Sequence, residues 1–264
     1  VYQGAPTPVA AFLSVGSKAA GFIVLIRFVL IFRDVPVIAT KVLTVVAILA
    51  GLSVIYGNLA AMPQDNLKRL LAYSSIGHAG YLLIAVSSVS NTESAFGSSG
   101  VAVAFYLFGY LLMTLLAFLI MIVVANHSRG DDIVHFNGLA KRSPFLAFGM
   151  LTAMLSLAGV PFTAGFIGKF LVFAAAVQQN RFVLVTLGVI TVAAGFYYYL
   201  RVVSAMYWQE PTDETRITLR PLTKITIGVL AFAIFLFGIL PQPILNMLRE
   251  PVRIPTPVHA SVQH

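Results

Sequence analysis

The sequence predicts an all-α polytopic membrane protein with seven transmembrane helices. Of its 264 residues, 59% are apolar and only 10% are charged, whereas soluble domains carry about 25% charged residues. Seven apolar runs are long enough to cross a hydrocarbon core of about 30 Å, which needs roughly 20 residues per helix. These observations exclude a water-soluble enzyme, and the sequence contains no cysteine that could form a disulfide or ligate an iron–sulfur cluster.

The predicted spans form a single transmembrane domain over residues 1–264. They cover residues 8–32, 37–62, 66–89, 100–125, 144–177, 182–208 and 221–240. Pro8 opens the first span at a position where proline is permitted, and Asp65 or Asn66 is a candidate N-cap for the third. The fifth run has 34 residues, which is about 50 Å of helix and too long for one straight span. We therefore predict that it is broken near Pro161.

The basic residues predict the orientation of the spans. The net charge of +8 would suggest nucleic acid in a soluble protein, but membrane proteins concentrate Lys and Arg in cytoplasmic loops, so no nucleic-acid partner is expected. Nine basic residues lie on the side of the first residue and six on the other side. This bias predicts a cytoplasmic start and an exterior end. Because the chain begins at Val1 without a methionine, we expect it to be the C-terminal part of a longer protein.

Three ionisable residues lie inside apolar runs, where each costs a few kcal/mol without a partner or water. Lys18 is ten residues into the first span, beside Ser17, and is therefore about 15 Å deep. Lys169 follows the predicted break, and His78 is near the centre of the third span. Ser74 lies one turn before His78 on the same face.

No carboxylate lies within the seven apolar runs, so the two lysines have no acidic partner there. They are neutral because burial disfavours the cation, or they face internal water, or they pair with acids from outside this chain. A functional interpretation is a proton relay through Lys and His. The structural alternatives are lysines bound to backbone carbonyls at a helix break, and a neutral His78 that forms a structural hydrogen bond between helices.

Two further features favour ordinary structural roles. Lys68 and Arg69 open the third span, where an interfacial anchor is favoured over a relay element. The run from Tyr197 to Arg201 is typical of an aromatic belt, with one inward-facing tyrosine as the alternative. The sequence shows no histidine cluster with metal-ligand spacing.

Three long motifs carry a resemblance to a known family. They are Gly57-Asn58-Leu59-Ala60-Ala61, the stretch from Asn66 to Tyr81, and the stretch from Leu157 to Phe170. With Val1 to Pro8 and Ser17-Lys18, they resemble the antiporter-like membrane subunits of respiratory NADH:quinone oxidoreductase (complex I). The run from Tyr197 to Arg201 and the lysine after Gly168 make the match look closest to the subunit N (subunit 2) type.

The resemblance implies the second half of a fourteen-helix antiporter-like fold with inverted repeats and broken helices. This chain would supply helices eight to fourteen, with Pro161 in the second broken helix. By resemblance, Lys18 is the eighth-helix channel lysine and Lys169 the twelfth-helix lysine at the exit. His78 would lie on the polar axis between them, and Lys68 near its cytoplasmic edge. The family's fifth-helix glutamate and seventh-helix lysine are not in this sequence.

The resemblance also implies a function: a non-redox, proton-translocating subunit in the bacterial inner membrane. NADH, quinone, FMN and iron–sulfur clusters would be handled by other subunits, so we expect no cofactor on this chain and no catalysis by the chain alone. Its partners would be other membrane-arm subunits and the lipid bilayer. The alternatives are a membrane subunit of a multisubunit cation/proton antiporter and a purely structural scaffold.

Overall fold

A computed structural model describes residues 4–32, 35–89, 98–128, 130–211 and 215–249. Regular structure in these ranges is helical, apart from one isolated antiparallel bridge between Asn66 and Asp132. The α-helices are α1 Thr7–Phe12, α2 Lys18–Ile31, α3 Pro36–Ala61, α4 Leu67–Ser87, α5 Ser98–Ser128, α6 Leu139–Arg142, α7 Pro144–Ala158, α8 Ala164–Gln178, α9 Phe182–Trp208, α10 Pro221–Ile239 and α11 Gln242–Arg249. A 3₁₀ turn, Ile133–Phe136, precedes α6.

The helices confirm the predicted fold class. Within the described ranges, six helical segments are long and apolar enough to cross a membrane: α1 with α2, then α3, α4, α5, α9 and α10. The predicted fifth span consists of the two shorter apolar helices α7 and α8. The chain is therefore a multi-pass membrane protein with a broken fifth span. Residues 250–264 lie outside the described residues.

The first span contains an irregularity that the sequence analysis did not predict. A π-helical turn, Leu13–Ser17, separates α1 from α2. Such turns are rare overall, but those that occur are often at functional sites. They change the direction of the side chains that follow. Lys18 is the first residue after this turn.

The break in the fifth span begins with a Schellman motif at the end of α7. Gly159 has φ of 89°, a left-handed conformation that glycine adopts without steric cost. The Val160 N–H donates to the Leu155 carbonyl at 2.9 Å, as this motif requires. Pro161 follows, and the Thr163 hydroxyl then accepts from a backbone N–H at the start of α8. The predicted break near Pro161 is confirmed.

Helix α4 is the most buried of the six long spans and packs against α3, α5, α8 and α9. Its N-cap is Asn66, whose side chain accepts from the Arg69 N–H at 3.0 Å. Backbone bonds from Leu67 N–H to the Asp131 carbonyl and from Ile133 N–H to the Asp65 carbonyl, both 2.8 Å, join the loops at this end. We call this end of the bundle the Lys68 side. The candidate site therefore surrounds a helix that is fixed on several faces.

Candidate functional site

Lys18 contacts the middle of α4. Its Nζ donates to the Ser75 hydroxyl at 2.7 Å and to the Ser75 carbonyl at 2.8 Å. It also lies 4.4 Å from the centroid of the Tyr110 ring, within the range of a cation–π contact. The partner of Lys18 on α4 is thus Ser75, the neighbour of the predicted Ser74.

The serines that precede Lys18 are bonded within their own helical turns. Ser14 donates to the Ala11 carbonyl at 2.7 Å, and Ser17 donates to the Leu13 carbonyl at 2.6 Å. Ser17 is exposed on the surface of the bundle. The structure therefore does not bring Ser17 to the Lys18 ammonium group.

His78 is 2% exposed and is held between two tyrosine hydroxyls. Its Nδ1 lies 2.7 Å from the Tyr106 hydroxyl, and its Nε2 lies 3.0 Å from the Tyr199 hydroxyl. Ser74 hydrogen-bonds with the same Tyr199 hydroxyl. Because a hydroxyl both donates and accepts, either tautomer of the imidazole can be satisfied here. The structure thus brings Ser74 and His78 together, as their one-turn spacing predicted.

Tyr110 lies between the surroundings of Lys18 and His78. Its ring centroid is 4.9 Å from that of His78, and the Lys18 Nζ lies 4.4 Å from the same centroid. The two titratable groups therefore border one buried aromatic ring rather than touching each other.

Lys169 is buried, with 6% of its surface exposed, and contacts the C-terminal end of α7. Its Nζ donates to the carbonyls of Leu157 at 2.9 Å and Ala158 at 2.8 Å. The last carbonyls of a helix lack partners within it, and the Schellman motif at Gly159 satisfies only the earlier ones. The helix dipole also favours a cation at this end. These are the contacts that the structural alternative predicted for a lysine at a helix break.

A second hydrogen-bonded group lies between His78 and Lys169. The Tyr198 hydroxyl donates to Asn58 Oδ1 at 3.0 Å, and Asn58 Nδ2 lies 3.4 Å from the Tyr81 hydroxyl. The Tyr81 hydroxyl is also 3.1 Å from Thr191 Oγ1. The Lys169 Nζ is 5.2 Å from the centroid of the Tyr81 ring, so this group borders Lys169.

The tyrosines are the main part of the site that sequence analysis missed. Tyr198 and Tyr199 are each 1% exposed, whereas Tyr197 is 57% exposed. The aromatic-belt interpretation is therefore wrong for Tyr198 and Tyr199, which lie inside the bundle with ring centroids 4.4 Å apart. The spacing of Tyr106 and Tyr110, four residues apart on α5, was an available signal because such residues share a helix face.

Lys68 lies at the start of α4, away from these groups. It is buried and pairs with Asp131 at 2.8 Å. Ten residues of α4 separate it from His78, which is about 15 Å along the helix axis. The structure thus gives Lys68 a carboxylate partner in a loop and does not bring it into contact with Lys18, His78 or Lys169.

The site has the chemistry of a proton-transfer network. Lysine and histidine can bind and release protons, and the hydroxyls between them can both donate and accept. Among the residues that the structure describes, no salt bridge reaches Lys18 or Lys169. No group of three or more His, Asp or Glu residues in the same ranges could hold a metal ion.

Comparison with known proteins places the chain in a family. The family model described as "NADH:quinone oxidoreductase/Mrp antiporter, TM" matches residues 1–195. NADH-quinone oxidoreductase subunit N of Desulforamulus reducens is 44% identical over 244 residues, which are 92% of this chain and 49% of the relative. The chain thus spans about half the length of the curated relatives it matches.

Solved structures show the same fold. A chain of respiratory complex I from Thermus thermophilus matches this chain with a TM-score of 0.77 and 36% sequence identity. The match covers 94% of this chain and 53% of the Thermus thermophilus chain. A chain of the Mrp complex from Dietzia sp. DQ12-45-1b matches with a TM-score of 0.79 and 19% identity, and the match covers 92% of this chain and 52% of the Dietzia chain. At this identity, the match shows a shared fold alone. The resemblance to subunit N is confirmed, and the chain belongs to the transmembrane family of NADH:quinone oxidoreductase and Mrp antiporter subunits.

Proposed function

We propose that this chain is part of a proton-translocating, non-redox membrane-arm subunit of NADH:quinone oxidoreductase. In this account, electrons pass from NADH to quinone through FMN and iron–sulfur clusters on other subunits. The energy released changes the protonation of buried groups in this chain. Family membership and the names of the relatives support this assignment. The subunit would lie in a bacterial plasma membrane beside other membrane-arm subunits, with the Lys68 side in the cytoplasm.

The observation that carries the proposal is the environment of Lys18 and His78. Lys169 has the contacts of a lysine that caps a helix end, so its geometry alone fits a structural role. Lys18, in contrast, donates to the hydroxyl and the carbonyl of Ser75 in the middle of α4, where an intact helix needs no cation. His78 is held by a hydroxyl at each ring nitrogen, which suits proton exchange at both.

The proposed path begins at Lys18 and passes the Ser75 hydroxyl and Tyr110 to His78. The imidazole takes a proton at one nitrogen and releases one from the other, because each nitrogen faces a tyrosine hydroxyl. The Tyr198 and Tyr81 group then leads towards Lys169. Since the Lys169 Nζ faces the Tyr81 ring and donates to carbonyls, the last transfer requires a water molecule or a movement of the lysine. Release to the opposite side of the membrane follows.

The test is proton pumping by the intact complex with substitutions in the full-length subunit. Lys169→Ala or Lys18→Ala should lower NADH-driven pumping severalfold while the amount of assembled complex is unchanged. Lys224→Ala is the matched control, because Lys224 is an exposed lysine near the start of α10. Normal pumping by both buried-lysine variants would contradict the proposal.

Lys169→Arg separates a relay from a structural cap. Arginine keeps the positive charge and can donate to the two α7 carbonyls, but it does not release its proton in proteins. A relay lysine replaced by arginine should give an assembled complex that pumps poorly. A structural lysine replaced by arginine should give normal assembly and normal pumping.

A second candidate function is a membrane subunit of a multisubunit cation/proton antiporter. It is favoured by the family model, which includes Mrp antiporters, and by the fold shared with the Mrp complex. The discriminating measurement uses vesicles that contain the complex. Proton movement that follows NADH oxidation supports the oxidoreductase, whereas a pH change driven by a cation gradient without NADH supports the antiporter.

A further inference from the structure

An apolar groove of about 470 Å³ lies between α3 and α9, and none of the network residues described above lines it. Its walls include Ile48, Leu52 and Ile55 from α3 and Val183, Leu184 and Leu187 from α9. Ile48 and Leu52 are 58% and 60% exposed. Gly51 also lines the groove, and a Cβ added there would lie 3.7 Å from the Leu184 and Leu187 side chains. The groove is therefore open at the surface of the bundle, and Gly51 leaves it unfilled.

The groove extends through one half of the membrane thickness. Helix α4 has 21 residues, about 31 Å of helix, which matches a hydrocarbon core of about 30 Å. Gly77, the middle residue of α4, packs against Gly57 of α3, so the Ile55 end of the groove is close to the middle of the membrane. From Ile55 back to Thr44 the groove extends about 16 Å along α3, away from the Lys68 side. This length is close to the depth of one leaflet, which is the reach of a single acyl chain.

Arg181 lines the outer end of the groove. A Schellman motif at the end of α8 fixes its backbone: Asn180 has φ of 54°, and the Arg181 N–H donates to the Ala176 carbonyl at 2.9 Å. Among the described residues, no carboxylate pairs with the Arg181 guanidinium. The fold therefore places a cation beside the groove without supplying an anion from those ranges.

Two further features make the outer end of the groove positive. Helix α9 begins immediately after Arg181, and no side chain caps its N-terminus. The first N–H groups of a helix have no acceptor within it, and they favour an anion. Lys41 is exposed and lies three residues before Thr44, on the same face of α3. Positive groups therefore stand on both walls.

The groove and its outer end match the two parts of an anionic phospholipid. The apolar walls suit an acyl chain, and a guanidinium binds phosphate oxygens with two parallel hydrogen bonds. Basic pockets between transmembrane helices are known to bind acidic head groups. A helix from another protein can fill the apolar part, but it leaves Arg181 and the α9 N–H groups unpaired unless it carries an anion at the same depth. Charge complementarity therefore favours the lipid.

We propose that the groove between α3 and α9 binds an anionic phospholipid, with an acyl chain against Gly51 and the phosphate between Arg181 and Lys41. This proposal is independent of the proton path, because the groove shares no residue with the network. Its test needs no NADH, so its result does not depend on whether the chain translocates protons.

Photolabelling of the intact complex, with the full-length subunit, tests the site. The complex is placed in phosphatidylcholine nanodiscs that contain a small fraction of phosphatidylglycerol with a photoreactive acyl chain. A phosphatidylcholine probe with the same chain is the head-group control. After illumination, mass spectrometry identifies the labelled peptides. The phosphatidylglycerol probe should label the α3 and α9 walls severalfold more than the phosphatidylcholine probe.

Three variants test the individual contacts. Arg181→Gln should lower labelling by phosphatidylglycerol to the level of phosphatidylcholine. Arg27→Gln is the matched control, because Arg27 is an exposed cation near the end of α2 that does not line the groove; it should leave labelling unchanged. Gly51→Leu places a side chain in the groove and should lower labelling by both probes. Arg181 is partly exposed, so its variant remains a valid test if Gly51→Leu impairs assembly.

Three outcomes would overturn the proposal. Equal labelling of the groove by both probes in the wild type would show that the head group is not recognised. Labelling of other membrane-facing helices without any in the groove would show that another protein segment covers it. Undiminished phosphatidylglycerol labelling in Arg181→Gln would exclude the phosphate contact.

Discussion

Replacing Gly57 by alanine perturbs a close contact between α3 and α4 beside the site. A Cβ added to Gly57 on α3 would lie 2.3 Å from the Gly77 nitrogen and 2.8 Å from the Gly77 Cα on α4. Favourable contacts between heavy atoms need about 3.5–4.0 Å. Because both atoms on α4 belong to backbone, no side chain can rotate away, and the two helices must separate by about 1 Å. Overpacking of this kind typically costs about 1–3 kcal/mol.

The displacement should reach the hydrogen-bonded tyrosines. Asn58 follows Gly57, and its Nδ2 lies 3.4 Å from the Tyr81 hydroxyl on α4. A shift of about 1 Å lengthens that distance beyond the range of a hydrogen bond. We therefore expect Gly57→Ala to lower both the thermal stability of the complex and its proton pumping.

The assay compares the thermal unfolding midpoint and the NADH-driven pumping rate of the intact complex, with the substitution in the full-length subunit. Gly228→Ala is the control, because a Cβ added to Gly228 on α10 has nothing within 4 Å. That control should keep wild-type stability and pumping. A Gly57→Ala complex that matched the wild type in both measurements would refute the packing argument.

Two further substitutions test individual contacts. Tyr199→Phe removes the hydroxyl that contacts His78 and should lower proton pumping severalfold. Tyr197→Phe is the control, because the Tyr197 ring is exposed, and it should leave pumping unchanged. Equal pumping rates in the two variants would contradict a role for the Tyr199 hydroxyl. Gly159→Ala places a Cβ 2.9 Å from the Lys169 Cδ at a backbone φ of 89°. This change should lower the free energy of unfolding by about 1–2 kcal/mol and displace the lysine. An unchanged unfolding midpoint and pumping rate would show that the end of α7 tolerates the side chain.

The spans and the break could be predicted because bilayer physics acts on local sequence. An apolar run of sufficient length specifies a membrane helix wherever it packs, and glycine followed by proline specifies a helix end. The buried Lys18, Lys169 and His78 could be singled out for the same reason, since the membrane interior makes any ionisable group costly.

The contacts within the site could not be predicted, because they depend on how helices are rotated against one another. Lys18 meets Ser75 and not Ser74, and a π-helical turn immediately precedes Lys18. No local pattern marks such a turn. Likewise, the run of three tyrosines on α9 gives no indication of which rings face inward until the faces of α4 and α5 are known.

The partner of Lys68 was also beyond sequence reasoning. Lys68 and Asp131 are far apart along the chain and meet only because backbone hydrogen bonds join the loops before α4 and after α5. The preference for an anchoring role over a relay role at Lys68 stays a prediction. The partly buried ion pair agrees with it, since each charge compensates the other.

The central claim is that Lys18 and Lys169 belong to one proton path. The most direct measurement is NADH-driven proton pumping by the intact complex carrying Lys18→Ala and Lys169→Ala, singly and together, at equal amounts of assembled complex. Groups on one path depend on each other, so each single variant should lose most of its pumping and the double variant should lose no more than the worse single. Wild-type pumping by either single variant, or independent losses that multiply in the double variant, would contradict the account.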